Sequence, residues 1–198
     1  MTKLQFNDAS YLGSATALSQ CLPDQGAEIA FMGRSNAGKS SAINAITNIK
    51  GLARASTTPG RTQMINFFGL DDTHRLVDLP GYGYAKASVE NKSKWEYLIA
   101  DYLESRESLV GFVLVMDCRH PLKPMDQQFV EWCVNFEIPL HILLTKADKL
   151  TPSAQKKALL FVEKSVSAYP AISVQLFSSL KKTGVDEARK KLAGWLNQ

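Results

Sequence analysis

The chain has 198 residues, 45% of them hydrophobic and 21% charged, with 23 basic against 19 acidic side chains for a net charge of +4. Such values describe a globular protein with room for one sizeable core, and no apolar run approaches the length of a membrane span. The mild basic excess permits a polyanionic partner without demanding one.

The opening "MTKLQFNDAS" has no apolar signal core behind a basic patch, so no export is expected. Cys21, Cys118 and Cys133 are an odd number without paired metal-ligand spacing, and read as reduced thiols of a cytosolic protein. Residues 1–26 mix polar and apolar positions and end in the turn signal "LPDQG". They read as an N-terminal extension packing on a single domain over residues 27–198.

From there strands and helices alternate. "AEIAFMG" is a short apolar strand, and "KSSAINAITN" a helix with Ile43 and Ile46 on one face. "TQMINFFGL" and "HRLVDLP" around "DDT" read as an antiparallel hairpin. "KSKWEYLIADYLESR" is an amphipathic helix burying Trp95, Leu98, Ile99, Tyr102 and Leu103. Three further strands follow, "LVGFVLVMD", "IPLHILLTK" and "AISVQLFSS". The helices between and after them are "PMDQQFVEWCVNFE", "SAQKKALLFVEKSVSAY" and "GVDEARKKLAGWLN". The pattern predicts an α/β fold: a mostly parallel six-stranded sheet with one antiparallel edge strand and helices on both faces. Ligands of such sheets bind at the carboxyl ends of the strands.

The first strand runs into Gly33-Arg34-Ser35-Asn36-Ala37-Gly38-Lys39-Ser40, and a helix follows. That is the strand–loop–helix setting of a phosphate loop. Its glycines let successive N–H groups turn inward on phosphate oxygens, and the helix N-terminus adds partial positive charge. Lys39 is expected to neutralise the β- and γ-phosphates and the Ser40 hydroxyl to reach Mg²⁺.

"LLTKAD" places Thr145, Lys146, Ala147 and Asp148 just beyond a strand, where a base-binding loop belongs. An Asp148 carboxylate can accept from the ring N–H and the exocyclic amine of guanine. Adenine presents a ring lone pair there, so the pattern favours guanine. In "LVDLPGYGY", Asp78 ends a strand and is followed by Leu79, Pro80 and Gly81. Asp78 can hold Mg²⁺ through a water, and the Gly81 N–H can sense a γ-phosphate. The segment "ARASTTPGRTQMIN" offers Thr57, Thr58 and Thr62 as hydroxyls for the metal in a loop that orders around it. "FSSL" offers backbone groups of Ser178, Ser179 and Leu180 to the base.

Taken together, "GRSNAGKS", "TPGRTQ", "DLPGYGY", "TKAD" and "FSSL" closely resemble the EngB (YihA/YsxC) family of bacterial GTPases. The resemblance spans nearly the whole chain, the "RHPL" segment Arg119 to Leu122 included. It implies a three-layer P-loop G domain and a cytoplasmic, monomeric GTP/GDP switch with Mg²⁺ as cofactor. It further implies a role in large ribosomal subunit assembly, with subunit precursor as partner, and in normal cell division or septation. Neither DNA nor membrane is an expected partner. By family correspondence Thr62 is the switch threonine on Mg²⁺, and Gly60, Arg61, Thr62, Gln63, Met64 and Phe177 lie near the nucleotide.

Where many small GTPases carry a water-orienting glutamine, this chain has Tyr82, so slow intrinsic turnover is expected, with Lys39, Thr62 and Gly81 carrying the catalysis. Packing of the loop is the plainer role for Tyr82 and Tyr84. Asn36 stands where relatives activated by potassium carry asparagine, which makes K⁺ a candidate activator, and Arg61 is a candidate charge-stabilising finger. The alternatives are a GTP-binding scaffold, or an RNA-binding assembly factor, with little hydrolysis. Lys181, Lys182, Arg189, Lys190 and Lys191 form a solvated helix face or an rRNA contact. His141 reads as a satisfied core residue, His120 as ordering its loop, and His74 as part of the hairpin.

Overall fold

The computed structural model describes residues 4–54, 64–82, 97 and 99–197. Seven strands form one sheet in the order β1-β3-β4-β2-β5-β6-β7. They are β1 (Ser10–Ala15), β2 (Ala27–Gly33), β3 (Ile65–Gly69), β4 (His74–Asp78), β5 (Leu109–Asp117), β6 (Leu140–Thr145) and β7 (Ile172–Leu176). The helices are α1 (Lys39–Thr47), α2 (described over residues 99–105), α3 (Pro124–Asn135), α4 (Pro152–Val166) and α5 (Val185–Leu196).

The α/β class with a mostly parallel sheet is as the sequence predicts, but the sheet is one strand wider. Residues 10–15 of the N-terminal segment pair antiparallel with β3 and become the edge. β3, antiparallel to both neighbours, therefore lies second from the rim. A bulge between Tyr11 and Gly13 breaks the alternation that would have betrayed β1 as a strand. Ser14 fastens it by donating to Asn66 Oδ1 at 2.6 Å.

Both faces of the sheet are covered, which is why β5 reads as an unbroken apolar run. Phe112, Leu114 and Met116 face the side of α2, α3 and α4, while Val113 and Val115 face α1 and α5. Burying each large side chain of this kind contributes about 1.5–3 kcal/mol. The helices obey ordinary end chemistry: Pro152 opens α4 behind the Thr151 cap, and Pro124 opens α3. Among the described residues no helix is long and apolar enough to cross a membrane.

Two buried polar networks brace the sheet. At the start of β2 the fully buried Glu28 accepts from Tyr102 Oη at 2.7 Å and from Arg106 Nε and Nη2 at 2.9 and 2.7 Å. Arg75 Nε adds an ion pair at 3.2 Å and its guanidinium donates to the Pro23 and Gln25 carbonyls. β2, β4 and the end of α2 thus meet on one carboxylate, and Arg75 ties the loop before β2 to it.

In the second network His141 lies between Ser173 Oγ and Gln175 Oε1, each 2.8 Å away. Gln175 Nε2 donates to the Gly184 carbonyl, which leaves Oε1 as acceptor. His141 therefore carries its proton on Nε2 and accepts from Ser173 at Nδ1. His141 is the satisfied core residue expected from the sequence. Burial lowers its pKa to about 4, and the Lys191 charge works in the same direction. The unfolded chain thus binds the proton more readily than the fold. Stability is full above about pH 6.5 and is expected to fall by up to about 3 kcal/mol as pH drops towards 4. Urea unfolding from pH 7 to 4 checks this: His141→Gln should remove most of that slope.

Candidate functional site

The phosphate-loop residues leave the carboxyl end of β2 and enter α1. Asn36 takes a left-handed φ of 64°, and Gly38 a φ of 102° that side chains rarely adopt, so glycine is what lets the chain turn into Lys39. Lys39 and Ser40 then open α1, whose first-turn N–H groups have no partner within the helix. Ala37 is buried under the loop.

Across from it, Asp78 ends β4, buried, and its carboxylate accepts from the Lys39 ammonium. Leu79 is fully buried, and Pro80 and Gly81 follow in the interior. The loop and this segment continue the β2–β4 pairing past the strand ends. Tyr82 N–H donates to Gly33 O at 3.3 Å, and Ser35 N–H donates to Tyr82 O at 2.9 Å, with Arg34 bridged to Tyr82 between them.

The third part comes from β6 and β7. Thr145 ends β6 with its buried hydroxyl donating toward the carbonyls of Ala37 and Met116. Lys146, left-handed at φ 59°, donates from Nζ to Asn36 O at 2.6 Å and pairs with Asp117 Oδ2 at 3.0 Å. Asp148 sits in the 3-10 turn Ala147–Lys149 and accepts from Ser178 Oγ at 2.6 Å. Phe177 is fully buried and fixes that turn, accepting from Ala147 N–H, while the Ser178 hydroxyl also accepts from Lys181 N–H. Ser179 is half-buried and Leu180 projects outward, 69% exposed.

The three motifs, far apart in sequence, therefore converge at the carboxyl ends of β2, β4 and β6. Met64 is exposed just before β3. Gly60, Arg61, Thr62 and Gln63, with Thr57, Thr58 and Tyr84, lie outside the described residues. So do Trp95 and Leu98, whereas Ile99, Tyr102 and Leu103 are buried as expected. Of the closing basic run, Arg189 is taken up by Ile46 O and Asn7, and Lys191 lies over the Trp195 ring. Lys181, Lys182 and Lys190 are exposed.

Sequence reasoning missed two residues here. Asp117 ends β5 and orients Lys146. Burial opposes its ionisation, but hydrogen bonds from Arg119 and Lys146 outweigh that and hold its carboxyl well below the usual range. A lone acid closing an apolar strand, as Asp78 also does, was the available signal. Asn44 of α1 clamps Ala53 through both its amide groups, at 2.9 and 2.7 Å, and so fixes the chain just before residue 55.

The donor set at the mouth of the loop is hard oxygen, the Ser40 hydroxyl and the Asp78 carboxylate. That chemistry fits a small divalent cation such as Mg²⁺ and suits soft-ligand metals poorly. The three cysteines are free thiols, and burial pushes the Cys118 thiol up to about 11.

A mostly parallel sheet with a phosphate-type loop after β2 and an acidic loop after β6 is the architecture of a P-loop nucleotide-binding protein. The family model for "50S ribosome-binding GTPase" matches residues 28–146. A curated "Probable GTP-binding protein EngB" from Coxiella burnetii is 59% identical, over 96% of this chain and 93% of its own. One of the same description from Escherichia coli is 52% identical, over 100% and 95%. The chain belongs to the EngB family of GTP-binding proteins, and it is a GTPase. Among solved structures, a probable GTP-binding protein engB matches with a TM-score of 0.69 at 20% identity, covering 86% of this chain and 99% of that one. Era, solved with MgGDPNP and 16S ribosomal RNA, matches at 0.64 and 20%, covering 86% and 57%. At such identities these two likenesses speak for the fold alone.

Proposed function

We propose that this GTPase is a slow, Mg²⁺-dependent nucleotide switch acting on the large ribosomal subunit during its assembly. The reading is supported above all by the contact between the base loop and the phosphate loop, Lys146 Nζ on Asn36 O, which joins the two ends of a nucleotide site. In this reading residues 27–198 are the G domain and 1–26 its extension. Gly33 to Ser40 receive the phosphates, with Lys39 on the β- and γ-oxygens. Gly81 meets the terminal phosphate, Gly60 to Met64 line the nucleotide, and Asp148, flanked by Lys146 and the Phe177–Leu180 loop, reads guanine.

Ser40 and Thr62 would hold Mg²⁺ directly and Asp78 through water. When bound, the ion supplies charge neutralisation between the β- and γ-phosphates. The side-chain amide of Asn36 is the candidate group for an activating K⁺, since the Asn36 backbone carbonyl accepts from Lys146. The protein acts as a cytoplasmic monomer with a part in normal cell division or septation.

The test is co-sedimentation with purified large-subunit particles. Protein loaded with a GTP analogue is expected to pellet with them and GDP-loaded protein to stay free. The bound fraction should fall steeply between 50 and 200 mM salt, roughly as expected for rRNA phosphate contacts. Binding indifferent to both nucleotide and salt would overturn the switch reading.

A further inference from the structure

Besides the Leu79 N–H on Phe31 O at 3.1 Å, which continues the sheet, three anchors of the segment from Asp78 to Tyr82 bear on the phosphate site. Asp78 binds Lys39, the Tyr82 backbone bonds to Gly33 and Ser35 of the phosphate loop, and the Tyr82 hydroxyl donates to Asp126 Oδ1. Gly81 lies between these anchors. A Cβ there would come 3.0 Å from Gly33 O and 3.5 Å from Ser35 N, so its backbone is pressed directly on the loop.

The third anchor differs from the other two, because Gly33, Ser35 and Lys39 belong to the phosphate loop and the start of α1, whereas Asp126 belongs to α3. It is the third residue of α3, 2% exposed, and its other oxygen accepts from the Lys123 N–H at 2.8 Å. One carboxylate thus caps α3 and binds the tyrosine. α3 is itself seated on the sheet through Phe129, Val130 and Cys133, with the Phe129 ring edge-on to Phe112 at 5.2 Å. The Arg34 charge acts on both Tyr82 and Asp126. Burial raises the Tyr82 hydroxyl far above its ordinary pKa, so it remains a donor throughout the working pH range.

We propose that Asp126 is a positioning residue for terminal-phosphate sensing: acting through the Tyr82 hydroxyl, it fixes the Gly81 peptide against the phosphate loop. This rests on the reading of Gly81 as the contact to the γ-phosphate. With the bond in place, the peptide that must meet that phosphate is referenced to a rigid helix before the nucleotide arrives. Without it, GTP has to order the segment on binding and loses affinity accordingly. GDP lacks the third phosphate and is indifferent.

The experiment measures affinities for a non-hydrolysable GTP analogue and for GDP, with Mg²⁺, on the full chain. Tyr82→Phe removes only the hydroxyl and should weaken the analogue about tenfold, the scale of a hydrogen bond to a charged group, with GDP unchanged. Asp126→Ala should give the same shift in the ratio, and the double variant no further shift, since one contact is lost only once. Asp126→Asn, whose amide can still bond the hydroxyl, should restore most of the ratio. A ratio unmoved by Tyr82→Phe, an equal loss for both nucleotides, or tighter analogue binding would each overturn the proposal. Gly81→Ala separates it from its premise. If Gly81→Ala shifts the ratio and Tyr82→Phe does not, only the positioning role of Asp126 fails. If neither shifts it, the reading of Gly81 falls as well.

Discussion

Replacing Glu28 by alanine is expected to lower the unfolding free energy by about 3–5 kcal/mol, the range for removing one partner of a buried ion pair. Glu28 is fully buried and is the common acceptor for Tyr102, Arg106 and Arg75. Its loss strands two guanidinium groups and a phenol where water cannot replace the carboxylate. Burial opposes the Arg106 charge, but the bonds to Glu28 more than reverse that and push its pKa up. The melting temperature should drop by roughly 10 °C in a domain of this size. Glu28→Gln keeps the shape and one acceptor oxygen and should lose clearly less. Thermal scans need fixed Mg²⁺ and GDP, since bound ligand shifts the transition by mass action. An alanine variant within about 1 kcal/mol of the parent would show that the network adds no stability.

The second large effect is on binding. Asp148→Asn is expected to weaken both GDP and GTP by about a hundredfold or more, since two charge-assisted bonds are each worth about 1.5–3 kcal/mol. Guanine offers two donors side by side, a carboxylate meets both, and an amide meets one and opposes the other. The Ser178 hydroxyl donates to Asp148 Oδ1 at 2.6 Å and so fixes the orientation of the carboxylate. Titration with fluorescent GDP, competed by ATP, measures the loss and the selectivity together. ATP competing equally with GDP on the parent protein, or an Asp148→Asn variant that binds like the parent, would remove the guanine assignment.

The parts legible in the sequence were those whose signal is local. β5 declares itself by nine consecutive residues with hardly a polar one, and the Gly38-Lys39-Ser40 turn by its spacing. Residues whose meaning depends on a distant partner were silent. Asp126 looks like an ordinary first-turn acid of α3 until Tyr82 is seen against it. Glu28 reads as the polar start of an apolar strand, and its partners lie 47 to 78 positions away, as the bonds to Arg75 and Arg106 show. β1 was hidden because an edge strand needs only one apolar face, and the bulge at Leu12 spoils even that period.

That edge position also orders events while the chain is being made. Synthesis delivers the N-terminus first, but Ser10 pairs with Gly69 and Ala15 with Ile65. β3 must emerge before β1 has a strand to lie on, and both reach the parallel part of the sheet through β4 and β2. β1 is therefore translated before β3 but can dock only after it, a delay that long-range pairing imposes on any such topology. Through that interval residues 10–15 wait without a partner strand, and Ser10, Gly13 and Ser14 make them a poor template for a neighbour.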